Sequence, residues 1–154
     1  MIESLVSQPP SDRFWNSIFT APAAYPDCFT SRFGTRRTYK VTNTQIQIPG
    51  FHTGLDFCGG EGLAITAPAP GRVIFAQSLT VRGNATIIDH GWGVYSGFWH
   101  QSEFKVQVGD IVEQGQLIGL VGGTGRVTGA HLHWEIWVNG VQVDPLDWLA
   151  SAYP

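Results

Sequence analysis

Glycine interrupts this chain at short intervals, and the stretches between glycines are rich in β-branched and aromatic residues. From residue 28 onward the runs are TQIQI (44–48), RVIFAQ (72–77), NATIID (84–89), GVYSGFW (93–99), KVQV (105–108), LIGLV (117–121) and HLHWEIWV (131–138). APAPG, VRGN, DHGWG, VGD, VGGTG and VNG separate them. β-Branched and aromatic side chains suit a pleated, half-buried surface, whereas Gly, Asn and Asp supply turns. Nineteen glycines and nine prolines, spread rather than clustered, therefore argue for many short strands joined by tight turns. The expected class is all-β, a sandwich or barrel-like fold with few short helices.

The two ends read differently. Residues 1–27 are rich in Pro, Ser and Ala, with one short apolar run, Phe14–Phe19, expected to form one or two helical turns. This segment reads as a lead-in packed on a domain of residues 28–154. At the other end, in DPLDWLAS, Asp144 is placed to cap a short helix opened by Pro145. A chain of 154 residues is long enough for one domain with its own core.

Net charge is −3, and Lys40 and Lys105 are the only lysines. That balance offers no electrostatic footprint for nucleic acid or an anionic membrane. No stretch is apolar enough to span a bilayer, so no membrane span and no nucleic-acid partner are expected. The N-terminus carries Glu3 and lacks an apolar core, which does not fit a secretory signal. Cys28 and Cys58 are the only cysteines, and their spacing decides neither a disulfide nor two free thiols.

The five histidines carry the chemistry. Read as a strand, HLHWEIWV puts His131, His133, Glu135 and Trp137 on one face and Leu132, Trp134, Ile136 and Val138 on the other. The second row is continuous apolar core. The first holds two imidazoles about 7 Å apart, a common way of presenting both to one site. Glu135, one step farther along that face, reads as a supporting or solvated residue. In HTGLD, His52 and Asp56 would lie about 13 Å apart on a regular strand, too far to share one ion. Pro49, Gly50 and Gly54 disfavour a helix, so a bend at Thr53–Gly54 is required for them to meet. His52, Asp56 and one histidine of the pair then supply the three protein ligands of a catalytic zinc. The other histidine of the pair remains beside it to handle a proton or steady an oxyanion, with His100 at the end of GVYSGFWH as the second helper. His90 in DHGWG is expected to make a structural hydrogen bond, and Thr124–Gly125 a tight hairpin. Tyr39 is a candidate to reach a bound oxyanion, and Arg36 an ion-pair partner.

These motifs occur together and in order. SRFGTR, H52TGLD56, APAPGRV, DHGWGVYSGFWH100, VQVGDIVEQGQLIGLVGGTG and TGAH131LH133WEI, closing with NG and DP, resemble the LytM/lysostaphin-type zinc endopeptidases of peptidase family M23, over roughly residues 30–148. The resemblance implies a lysostaphin/LytM-like, mainly antiparallel sheet lining a narrow groove. It implies zinc held by His52, Asp56 and His133, with His100 and His131 flanking the attacking water and their individual roles left open. The implied substrate is the peptide of bacterial peptidoglycan, cut by a monomer located extracellularly or in the cell envelope. Gln101 and Ala130 depart from the family's usual Leu and Pro, and a changed groove shape is expected there.

Two other readings compete. A non-catalytic relative that activates another wall hydrolase would be expected to have lost ligands, yet all three are intact. VQVGDIVEQGQLIGLVGG also resembles a lipoyl or biotinyl carrier, but neither lysine occupies the hairpin tip such a domain needs.

Overall fold

A computed structural model describes residues 2–9, 11–40 and 44–153. Met1 and Pro10 of the lead-in lie outside the described residues. Strands are β1 (Phe29–Ser31), β2 (Arg36–Lys40), β3 (Gln47–Phe51), β4 (Leu55–Phe57), β5 (Ala64–Thr66), β6 (Gly71–Leu79), β7 (Gly83–Gly91), β8 (Val94–Gln101), β9 (Glu103–Phe104), β10 (Ile111–Val112), β11 (Leu117–Leu120), β12 (Leu132–Val138) and β13 (Val141–Val143). Helices are α1 (Ile2–Leu5) and α2 (Pro145–Ala150). Among the described residues no helix is long and apolar enough to cross a membrane.

All the pairings are antiparallel. The large sheet runs β1-β4-β12-β8-β7-β6-β10, a smaller one runs β5-β11-β9, and β2-β3 form a separate ribbon. One edge of β12 is shared: β4 pairs with Leu132–Trp134 and β13 with Ile136–Val138. Glu135 falls in the gap between those two partners.

The main core contains Leu132, Trp134 and Ile136 of β12, Phe98 of β8, Ile65 of β5 and Ile118 of β11. Trp15 and Phe19 of the lead-in and Trp148 of α2 close its open end. Truncating a fully buried indole such as Trp134 to alanine costs about 3–5 kcal/mol. The opposite face is not simply solvated, because Trp137 and Trp99 pack edge-to-face at 5.8 Å with Tyr95, Phe75 and Ile87, beneath Val6 of the N-terminal segment. Strand β8 is consequently buried on both faces along its whole length.

Three local expectations change. Phe14–Phe19 forms no helix: the Phe14 N–H bonds to the His90 carbonyl and the Thr20 N–H to that of Pro68, so the backbone follows the domain surface instead. KVQV is not a strand, because Asp110 accepts from the Gln107 N–H at 2.9 Å and closes a turn through Gly109, at φ 100°. TQIQI shifts toward its C-terminal end, with Pro49 and Gly50 inside β3, where a two-stranded ribbon tolerates proline. The capped C-terminal helix forms as expected, with Asp144 accepting from Leu146 N–H at 3.0 Å.

Candidate metal centre and active site

Strand register brings the ligand segments together. His133 sits opposite Asp56 of β4 on one side and Trp99 of β8 on the other. The chain leaves β3 at Phe51, bends through His52–Gly54 and re-enters as β4, so His52 folds back over Asp56. Gly54 does more than bend: a Cβ there would lie 2.3 Å from the Trp134 carbonyl oxygen and 2.8 Å from His133 Nε2. Only a residue without a side chain allows this link to approach β12 so closely.

His52, Asp56 and His133 are buried, and their donor atoms converge. His52 Nε2 is 3.1 Å from Asp56 Oδ1 and 3.0 Å from His133 Nδ1, and His133 Nδ1 is 2.7 Å from the same oxygen. The remaining ring nitrogens fix the tautomers. His52 Nδ1 lies 2.9 Å from the Arg32 carbonyl and His133 Nε2 lies 2.9 Å from Glu135 Oε1. Both partners accept, so those nitrogens carry the hydrogens and Nε2 of His52 faces Nδ1 of His133 with bare lone pairs. Two lone pairs and a carboxylate oxygen at about 3 Å repel one another unless a cation joins them. In a tetrahedral site with bonds near 2.05 Å, ligand atoms lie about 3.3 Å apart. The donor set therefore fits a metal ion after a slight opening.

His131 and His100 repeat the arrangement. His131 Nδ1 donates to the Gly129 carbonyl at 2.9 Å and His100 Nδ1 to the Thr124 carbonyl at 2.8 Å. His131 Nε2 is 3.6 Å from Asp56 Oδ1, and the His100 ring centroid is 5.2 Å from that of His131 and 6.3 Å from that of His133. All four predicted histidines thus gather at one place, each with its N–H turned outward. His100 adopts φ 63°, a left-handed conformation that is strained for a non-glycine residue and typical of functional positions.

Charge tuning follows from packing. Burial resists ionisation of Asp56, but the imidazoles of His133 and His52 packed against it outweigh burial and hold the carboxyl well below its usual range. Burial likewise disfavours charge on His133, yet Asp56 and Glu135 on either side raise its pKa. His100 is pushed down to about 4, by burial first and by the neighbouring imidazoles after that, so it rests neutral.

Several partners differ from expectation. Arg37, not Arg36, bonds Asp56: its guanidinium reaches Oδ2 at 2.9 Å and Ser31 Oγ at 3.0 Å, while Arg36 is exposed and makes no ion pair among the described residues. Within β2 only Arg37 is partly buried. Tyr39 is exposed and lies against Gly50 across that ribbon. Thr124 is not in a tight hairpin. It anchors the 123–130 loop, accepting from Asn84 N–H and donating to the Gln101 carbonyl, both at 2.9 Å. Gln101 is fully buried and bonds Thr86 and the Phe98 carbonyl, so it alters packing beneath the site and not the groove wall. His90 is remote and structural, bonded to the Pro70 carbonyl at 2.8 Å and to Ser96 Oγ at 2.9 Å. Cys28 and Cys58 form a disulfide that ties β1 to the segment after β4.

The antiparallel sheet gathers His52, Asp56 and His133 at one end of β12, a donor set that could hold a metal ion. The chain belongs to peptidase family M23, whose family model matches residues 50–145. It is 33% identical over 140 residues to the peptidoglycan DD-endopeptidase ShyB of Vibrio cholerae, covering 88% of this chain and 32% of that protein. The chain therefore spans about a third of the length of that curated relative. Among solved structures, a zinc-containing peptidase from Vibrio cholerae superposes with a TM-score of 0.74 at 29% identity, over 90% of this chain and 41% of the other. The catalytic domain of the antimicrobial peptidase lysostaphin from Staphylococcus simulans gives 0.66 at 29% identity, over 79% and 90% respectively.

Proposed function

We propose that this chain is a zinc-dependent endopeptidase that hydrolyses peptide bonds in the stems or cross-bridges of bacterial cell-wall peptidoglycan. The observation that carries the reading is the convergence of four imidazoles, each bonded through one ring nitrogen to an acceptor, with the other nitrogen of His52, His133 and His131 within 3.6 Å of Asp56 Oδ1 and the His100 ring beside them. His52 Nε2, Asp56 Oδ1 and His133 Nδ1 would hold the ion. Zinc bound there supplies Lewis acidity, polarising a peptide carbonyl and bringing the pKa of water toward neutrality.

The protein's own groups handle the protons. His131 and His100 each donate from Nδ1 to a backbone carbonyl, which leaves Nε2 of both available to bracket the attacking water. His131, whose Nε2 lies 3.6 Å from Asp56 Oδ1, takes the proton and returns it to the leaving amine. His100, kept neutral by burial, accepts the other hydrogen of the water and orients it. Arg37 on Asp56 Oδ2 leaves Oδ1 free for the metal. The lead-in belongs to the same folding unit, because Trp15 and Phe19 sit in the main core. The peptidoglycan substrate is supported by the relative named as a peptidoglycan DD-endopeptidase, and it would place the work in the cell envelope or outside the cell.

Elemental analysis of the purified chain beside His133→Ala tests the ligand set. One zinc per chain, lost in the variant while the fold persists by circular dichroism, is expected. A wild-type chain that retains no zinc when supplied with it overturns the reading.

A further inference from the structure

We propose that Glu135 is the positioning residue of this centre, a buried carboxylate that fixes two of the three ligand segments relative to each other and is itself held by Arg82. This rests on the metal reading above and adds to it a control element outside the ligand set.

Glu135 is 1% exposed and sits in the gap on the β12 edge, where β4 has ended and β13 has not begun. Its Oε1 accepts from His133 Nε2 at 2.9 Å, from Thr53 Oγ1 at 2.7 Å and from Arg82 at 2.7 Å, and its Oε2 accepts from Gln142 Nε2 at 3.1 Å. Thr53 directly follows His52. One oxygen thus binds the ring of one metal ligand and the chain neighbour of another.

The arrangement has two physical consequences. With its Nε2–H committed to a carboxylate, the His133 ring is held with Nδ1 toward His52 and Asp56, and that nitrogen becomes a stronger donor. The second consequence is electrostatic. A buried carboxylate needs a compensating charge, and Arg82 supplies it from the turn between β6 and β7. Arg82 is positioned in turn: its guanidinium lies 4.4 Å from the Trp99 ring centroid, and its carbonyl accepts from the His100 N–H at 2.9 Å. The backbone that sets the strained His100 conformation is therefore the backbone that delivers the Glu135 counter-ion. A solely structural Glu135 would need none of these contacts to converge on the ligand ring.

The test is the zinc dissociation constant of the whole chain, measured by competition with a chromophoric chelator, for wild type, Glu135→Gln and Arg82→Met. Thermal unfolding of each protein is recorded in excess chelator. Glutamine preserves size but cannot accept from all four donors or carry charge, and Arg82 is one-third exposed, so its replacement leaves the core intact. Zinc binding is expected to weaken about 10- to 100-fold in Glu135→Gln and in the same direction, by less, in Arg82→Met. The His133 Nε2–H proton resonance, deshielded by a charged acceptor, is expected to move upfield in Glu135→Gln. Dissociation constants within twofold of wild type in both variants overturn the proposal, as does a loss of zinc affinity fully matched by unfolding of the chelated protein. A wild-type chain that binds no zinc would instead remove the metal reading on which it stands.

Discussion

Gly54→Ala is the substitution that most directly probes how the backbone builds the centre. The added methyl would lie 2.3 Å from the Trp134 carbonyl oxygen, 2.8 Å from His133 Nε2 and 2.8 Å from Glu135 Cγ. Relieving the first contact requires about 1 Å of opening, since carbon and oxygen normally meet beyond about 3.2 Å. Trp134 pairs with Leu55 on one side and Phe98 on the other, so β12 has little freedom to give way. The His52–Gly54 link moves instead and carries His52 away from Asp56 and His133. Overpacking of this kind costs about 1–3 kcal/mol. If that strain is borne by the ligand geometry, zinc affinity falls by about 5- to 150-fold. The assay is chelator competition at neutral pH, with urea unfolding of the metal-free protein as control. A dissociation constant within twofold of wild type, in a variant as stable as wild type without metal, would refute the close-approach argument.

Two predictions concern stability away from the metal. Buried His90 has a pKa of about 4 in the fold against 6.5 as a free side chain, so the unfolded chain takes up its proton first as pH falls. His90 therefore contributes a loss of about 3 kcal/mol between pH 6.5 and pH 4. His90→Asn is expected to flatten the urea-stability profile across that window, and identical profiles would contradict this. The Cys28–Cys58 bond closes a loop across a separation of 30 residues. Replacing both cysteines with alanine should cost about 3.5 kcal/mol by urea unfolding; a loss under about 1 kcal/mol would mean the disulfide hardly constrains the unfolded chain.

Strand parity alone placed His131 and His133 on one face, and the impossibility of a straight HTGLD strand forced a bend before His52 and Asp56 could meet. Both arguments depend on local geometry, so local sequence carries them. The partners that complete the site come from distant segments and carried no such signal. Arg37 was indistinguishable from Arg36 until the fold brought the Arg37 guanidinium to Asp56. Glu135 was visible on the correct face, but its importance depends on Thr53, Arg82 and Gln142 converging across a gap in the sheet. The Phe14–Phe19 run misled because its apolar spacing reports burial, which is real for Trp15 and Phe19, and not helicity. The disulfide was undecided because a separation of 30 residues along the chain says nothing about distance in space.

Digestion of cross-linked muropeptides by the zinc-loaded chain, read by mass spectrometry, tests the central claim most directly. Hydrolysis of a peptide bond in stem or cross-bridge is expected from the wild type, abolished by chelation and lost in His131→Ala although that variant keeps its zinc. Cleavage of a sugar linkage, cleavage of the amide joining sugar to peptide, or undiminished peptide cleavage by His131→Ala would contradict the account.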